Sequence, residues 1–232
     1  MRNTKIAVAL ALTALTVFAA ISCNSLSHFG RLTQGRIVYG IEYPKEEGQP
    51  ILVTLLPPTM ELKFKENNTV INITGFANMF NLKYITDSHT HTNYTLFRVM
   101  NQKLMYKADT TEKAFGYDQM NNLTLTYTDD TLTICGYKCH KAIAKGNEPD
   151  SESYDLYYTD EIAINRPNTN NPFKQLDGVL LGFQVRLHGI SMIMRAIEIK
   201  SEEVDDSEFI IPTDFKQVTY SELQDFINDY MK

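Results

Sequence analysis

The sequence predicts a mainly β protein: a single strongly curved antiparallel sheet, shaped as a half-barrel, with a C-terminal α-helix. Three observations predict it. Apolar and polar residues alternate with period two over almost everything between Arg36 and Glu203, the mark of half-buried strands. The breaks between these runs are short and turn-like, so neighbouring strands should pair antiparallel as a meander. Helical spacing is strong only near the end, where Leu223, Phe226, Ile227, Tyr230 and Met231 fall on one face. A sheet of about ten strands curls under its own twist. It either closes into a barrel or stays open around a hollow lined by alternate residues.

In chain order, Arg36 to Tyr43 is the first run, ended by Pro44 and Gly48. Met60 to Lys65 meets Thr69 to Thr74 across a Glu66-Asn67-Asn68 turn. Leu82 to Thr86 and Tyr94 to Ala108 continue the series. Leu123 to Tyr127 should meet Thr131 to Ile134 across Asp129-Asp130, whose acidic pair suits a hairpin turn. Lys138 to Lys145, Tyr154 to Thr159, Val179 to Leu187 and Ser191 to Ile199 complete the sheet. The loop from Asn165 to Asp177 is long and rich in Asn and Pro, and loops of that length are commonly functional or mobile. Ser221, with Gln224 as its capping-box partner, should start the terminal helix. A weaker helix is expected around Gln49 to Leu56.

The first 22 residues read as a secretory signal. Arg2 and Lys5 form a basic start, and Ile6 to Ile21 carry no charge. That run falls short of the about 20 apolar residues of a spanning helix but suits the apolar centre of a signal peptide. Ala20-Ile21-Ser22 offers small residues where ordinary cleavage wants them. Ala20-Ile21-Ser22-Cys23 also resembles a bacterial lipobox, which would make Cys23 the acylated first residue of the mature chain. Several acyl chains on one residue hold a domain durably at a membrane, at about 0.8 kcal/mol per buried methylene. Asp does not follow Cys23, which favours the outer membrane, facing the periplasm. The expected organisation is signal 1–22, tether 23–35 and one β-rich domain 36–232.

Removing Arg2 and Lys5 with the signal leaves 20 basic against 28 acidic residues, about −8 net. A nucleic-acid binder wants a basic face, and none is visible. Cys135 and Cys139 form an even pair once Cys23 is set aside. Four residues of straight strand would hold them about 13 Å apart, too far for a disulfide. A bend at Gly136-Tyr137 would bring them close enough, so a bridge and two packed free thiols both stay open. The spacing suits neither zinc, which wants a second pair, nor a redox-active centre.

Three further stretches belong together. Gly35-Arg36-Ile37-Val38-Tyr39 opens the first strand, and Gly136-Tyr137-Lys138-Cys139-His140-Lys141-Ala142 makes a corner. Tyr158-Thr159-Asp160-Glu161-Ile162 is followed by the run from Asn171 to Leu181, in which Leu176 and Gly178 match the segment that names the GLPGLI proteins. Together they resemble a Bacteroidetes lipoprotein family of unknown function related to the GLPGLI proteins. The resemblance implies a fold like that of the outer-membrane lipoprotein carriers, a curved sheet around an apolar hollow partly plugged by helix. It implies no catalytic residue.

Leu181, Phe183, Val185 and Leu187 share one face of their run, and Ile190, Met192, Met194 and Ala196 share a face of the next. Flexible Met side chains suit irregular apolar sites. These residues read either as the wall of a lipid-sized cavity or as ordinary core under the helix. Ser88-His89-Thr90-His91-Thr92 places two imidazoles on one strand face without an identifiable third ligand, so no metal is expected. His140 and His188 read as surface residues. No Gly-x-Ser-x-Gly elbow occurs, and Cys139 and His140 point to opposite strand faces.

The expectation is a non-enzymatic lipoprotein without cofactor, joined to the membrane through its N-terminal lipid, holding a lipid or lipidated client. The alternative is an accessory protein with a filled core that meets another envelope protein. Replacing Cys23 by Ala should move the protein from the membrane pellet to the soluble fraction on ultracentrifugation. Undiminished membrane retention would contradict the anchor.

Overall fold

A computed structural model describes residues 30–44, 56–148 and 151–230. The signal, Cys23, most of the Gln49 to Leu56 segment and Met231 lie outside the described residues. Twelve strands form one sheet: β1 Gln34–Glu42, β2 Thr59–Lys65, β3 Asn68–Thr74, β4 Phe80–Asp87, β5 Thr92–Val99 and β6 Gln102–Asp109. Then follow β7 Leu123–Ile134, β8 Tyr137–Gly146, β9 Ser153–Thr159, β10 Val179–Leu187, β11 Ile190–Lys200 and β12 Lys216–Gln217. One α-helix, α1, runs Tyr220–Tyr230. The spatial order is β12-β6-β5-β4-β3-β2-β1-β11-β10-β9-β8-β7. The two ends do not meet, so this is an open sheet rather than a closed barrel.

Alternation sets which side chains are inside. In β1, Ile37 and Tyr39 are buried, while Arg36 and Val38 are half-exposed on the other face. The same rule places Leu62, Phe64, Leu82, Tyr84, Phe97, Leu156, Val185 and Met194 in one core on the concave side. The Tyr39 hydroxyl donates to the Leu180 carbonyl at 2.8 Å, so the ring is buried without an orphaned polar atom. Burial pushes that phenol well above its ordinary pKa.

The chain's last segment wraps the sheet. After β11 it crosses the outer face, where Phe209, Ile211 and Phe215 cover Val70, Ile85 and Leu96 in a second apolar cluster. Lys63 pairs with Glu208 at 2.7 Å, Lys65 with Asp206 at 2.6 Å, and Lys103 with Asp214. Arg36 holds Glu61, Glu198 and Glu202 together beside the crossing. Exposed pairs contribute about 0–1 kcal/mol each, so they set the path while the apolar cover supplies the energy. β12 then pairs in parallel with β6 and covers that edge.

α1 follows at once on the concave side. Leu223 and Ile227 are 0 and 2 % exposed, and Phe226 and Tyr230 are half-buried against Phe97. The helix cap is Thr219, not Ser221: the Thr219 hydroxyl accepts from the Glu222 amide at 3.3 Å, and the Glu222 carboxylate accepts from the Thr219 amide at 2.8 Å. Pairing with β6 ends where the Val218 amide donates to the Met105 carbonyl at 2.9 Å, so the helix begins as soon as the chain is free of the edge.

Four further corrections follow from the structure. Asp129-Asp130 makes no hairpin; β7 continues through it with an irregular register between Tyr127 and Thr131, and pairs with β8 on both sides of it. Tyr94 to Ala108 divides into β5 and β6 at Met100, whose φ is +50°. The sheet begins before Arg36: Leu32 bridges Ile162 and β1 starts at Gln34. The loop after β9 is pinned rather than loose: buried Asn168 donates to the carbonyls of Leu176 and Gly178, and Phe173 and Leu176 enter the core.

Ile227→Ala should cost about 2–5 kcal/mol by leaving a cavity under α1, and Thr219→Ala about 1 kcal/mol by removing the cap. Urea unfolding followed by far-UV circular dichroism measures both.

Candidate functional site

The hollow is mostly filled. Of the residues expected to line a cavity, Leu181, Val185 and Met194 are closed into the core. Phe183 is half-buried and meets the Tyr39 ring edge-on at 5.7 Å. Only Leu187 and Met192 face empty space. There, between the sheet and α1, lies a cavity of about 80 Å3 that reaches the surface. Its floor is Ile73, Leu82 and Phe97 from β3 to β5; Ile227 and Tyr230 of α1 form a wall, and Tyr43, Leu56 and Pro57 border it. Apart from His188, every one of the lining side chains is aromatic or aliphatic.

The cavity exists because large rings meet edge-on here. Phe97 lies 6.2 Å from Phe226 and 6.1 Å from Tyr230, and Phe80 lies 6.5 Å from Tyr230, all near-perpendicular. Such contacts are favourable but leave gaps that interdigitated aliphatic chains would fill. Residues from distant strands make the site, so no single local pattern announced it; α1's apolar stripe and the strand faces carrying Leu187 and Met192 were the readable parts.

Beside the mouth the surface is apolar too. Phe76, Met79 and Met100 are 68, 50 and 76 % exposed. Phe80 pairs with Val99, which puts Met79 and Met100 at the same end of that ladder. Arg98 donates to the Asn78 side-chain carbonyl at 2.7 Å and ties the β3–β4 loop to β5.

His188 is not a surface histidine. It occupies the two-residue β10–β11 turn with Gly189, at φ +48° and +80°. Its ring meets Phe115 at 5.4 Å, and its Nδ1 lies 3.2 Å from the Gln224 side-chain nitrogen of α1. Burial lowers its pKa to about 4 despite the nearby Asp118 carboxylate. Gly116 admits this ring: at φ +88°, a Cβ there would stand 2.7 Å from His188 Nε2.

The bridge left open between Cys135 and Cys139 is not formed. Both are free thiols, Cys135 exposed and Cys139 buried. The bend falls one residue earlier than expected: Cys135-Gly136 is the turn, with φ +50° and +86°, and β8 starts at Tyr137. Cys139 then points into the core, and burial raises its pKa to about 11, so it is no nucleophile. His140 is half-buried beside the Tyr158 ring. His89 and His91 lie in the turn between β4 and β5, not on a strand. Among the described residues no three His, Cys, Asp or Glu gather in a way that holds a metal ion. No helix among them is long and apolar enough to cross a membrane.

No protein-family model matches the chain, and no curated protein matches it significantly. Fourteen solved chains do. One is PNGF-II, solved in space group C2, with a TM-score of 0.52 at 14 % identity. The alignment covers 82 % of this chain and 32 % of that one, so this chain spans about a third of its length. At that identity the likeness concerns the fold alone.

His188 supplies a pH test. Its folded pKa lies below the unfolded value of 6.5, so the unfolded chain takes up the proton first and its contribution to stability is whole above about pH 6.5. That contribution should fall away as pH drops towards 4. The slope of stability against pH in this window should flatten in His188→Gln, measured by urea unfolding at stepped pH.

Proposed function

We propose that this is a non-enzymatic lipoprotein, anchored through Cys23 to the outer membrane, facing the periplasm, that takes the end of an apolar chain between its sheet and α1. The observation that carries the reading is the apolar cavity under α1, with Leu187 and Met192 in its wall and an apolar rim at Phe76, Met79 and Met100. The resemblance to lipoproteins related to the GLPGLI family agrees with a shell of this kind.

Size limits the ligand. The cavity has about half the volume of the roughly 150 Å3 engineered cavity that admits benzene. It therefore receives a chain terminus, and a longer alkyl chain enters only as α1 lifts. Each methylene buried contributes about 0.8 kcal/mol, set against the cost of opening α1 and of immobilising the ligand. The anchor acts separately, keeping the mouth near a source of such chains.

A second reading is favoured by the packing of Leu181, Val185 and Met194: an accessory envelope protein whose core is complete without a ligand. One measurement separates the two. Protein carrying Cys23→Ala, exported behind its leader and purified without detergent, should yield a bound amphiphile on lipid mass spectrometry. Met192→Trp, which fills the cavity, should lose it while the circular dichroism spectrum stays unchanged. Cys23→Ala protein free of lipid would remove the first reading and leave the second, to be pursued by cross-linking in envelope fractions.

A further inference from the structure

Two sequence features remain unused by the cavity: the turn Ser88 to His91 and the loop from Asn165 to Asp177. They meet at the opposite end of the sheet from the cavity mouth. The Asn93 side-chain amide donates to the Thr169 carbonyl at 3.0 Å, and the Lys174 ammonium donates to the Thr110 carbonyl at 3.2 Å. Between them is a cleft of about 200 Å3. His89, His91 and Arg166 line it together with the hydroxyl residues Ser88, Thr110 and Thr169, and no carboxylate residue does.

The three cationic or imidazole side chains have no hydrogen bond or ion pair with another described residue. The nearby carboxylates are already engaged. Asp87 accepts from the His89 and Thr90 amides and the Thr90 hydroxyl, and Asp109 accepts from the Thr111 amide and hydroxyl. Elsewhere the basic side chains of the sheet face are mostly paired, as with Arg36, Lys63, Lys65, Lys103 and Lys141. In a chain of net charge −6, a cleft lined by these donors and by no carboxylate is a local inversion, with the Asp87 and Asp109 carboxylates beside His89 and His91 outside its lining.

The backbone holds these donors in place at a cost. His91 and Arg166 have φ of +52° and +51°, a region that side chains with a Cβ seldom occupy. Arg166 is fixed from both sides. The Asn165 amide donates to the Asn67 side chain at 2.8 Å, and Asn168 is locked to the Leu176 and Gly178 carbonyls.

We propose that this cleft binds a phosphate group. A tetrahedral oxyanion needs donors from several directions. Arg166 supplies a planar fork, His89 and His91 supply ring N–H groups, and the threonine hydroxyls complete the shell. A carboxylate would use only part of that set. The phosphate has two sources, a lipid headgroup or a soluble phosphate ester. Leu32 pairs with Ile162 and the Arg31 guanidinium donates to the Asp160 carbonyl at 2.6 Å, so the chain towards Cys23 leaves beside this loop. The seven residues from there span at most about 25 Å, within reach of a bilayer surface. The headgroup source, unlike the phosphate site itself, rests on the anchor at Cys23.

Calorimetric titration of the mature protein in dodecylmaltoside, with inorganic phosphate and separately with dihexanoyl phosphatidylglycerol, tests the site. At least one probe should bind with a Kd of about 1 mM or tighter. Arg166→Gln should weaken that binding at least about tenfold, as should the double change His89→Gln, His91→Gln. Lys216→Gln should bind as wild type. These side chains are exposed and unpaired, so Tm should hold within about 2 °C; Arg166→Asn, which tolerates positive φ, repeats the test without backbone strain. Tighter binding of the lipid assigns the headgroup source, and tighter binding of inorganic phosphate the soluble one. No binding of either probe, or wild-type affinity in the Arg166 variants, overturns the proposal. Neither result bears on the cavity under α1, which Met192→Trp tests alone.

Discussion

An open sheet of twelve strands has an apolar concave face that it cannot bury against itself, and this constraint organises everything else. A closed barrel would solve the problem by pairing its edges. Here β12 and β7 stand at opposite ends of the order, and the solution is to spend the last part of the chain as cover. The segment after β11 seals Val70, Ile85 and Leu96 outside, turns around the edge as β12, and returns inside as α1. Three layers in the middle of the sheet therefore depend on one continuous stretch of about thirty residues. The ion pairs along the strap fix its path; the apolar contacts beneath it hold it down.

The cover is not equally tight along its length. At the Tyr220 end, Phe115 and Tyr106 meet the Tyr220 ring at 5.0 and 5.5 Å, and the Tyr220 hydroxyl donates to Asp118 at 2.7 Å. At the Tyr230 end, the contacts are ring edges around a gap. The cavity thus sits at the Tyr230 end of the helix, next to an apolar rim. On the proposed reading, an apolar chain end would complete packing that the protein leaves unfinished there. The phosphate cleft uses the other end of the same sheet, so one scaffold places apolar and anionic chemistry about a strand length apart.

Much of the sheet was legible because burial of one face imposes period two on the residues. β10, Val179–Leu187, matches its expected range residue for residue. Where local chemistry competed with a distant partner, the partner prevailed. Asp129-Asp130 is a good turn pair by itself, but β8 offers partners on both sides of it, and β7 follows β8 with an irregularity instead of reversing. Thr219 with Glu222 and Ser221 with Gln224 are equivalent capping patterns; the end of β12, two residues before α1, chose between them. The half-buried place of His188 was hidden because it depends on Gly116 and α1, far away in the chain. The strap could not be read at all, since a single crossing of Phe209, Ile211 and Phe215 has no period.

Amide hydrogen exchange in α1, compared with β3 to β5, measures most directly whether the helix is a separable cover. The account predicts that amides of Leu223 to Tyr230 exchange through an opening of lower free energy than those strands, and that a dodecyl-chain amphiphile slows them selectively. Exchange of α1 only together with the whole sheet, unchanged by the amphiphile, would contradict it.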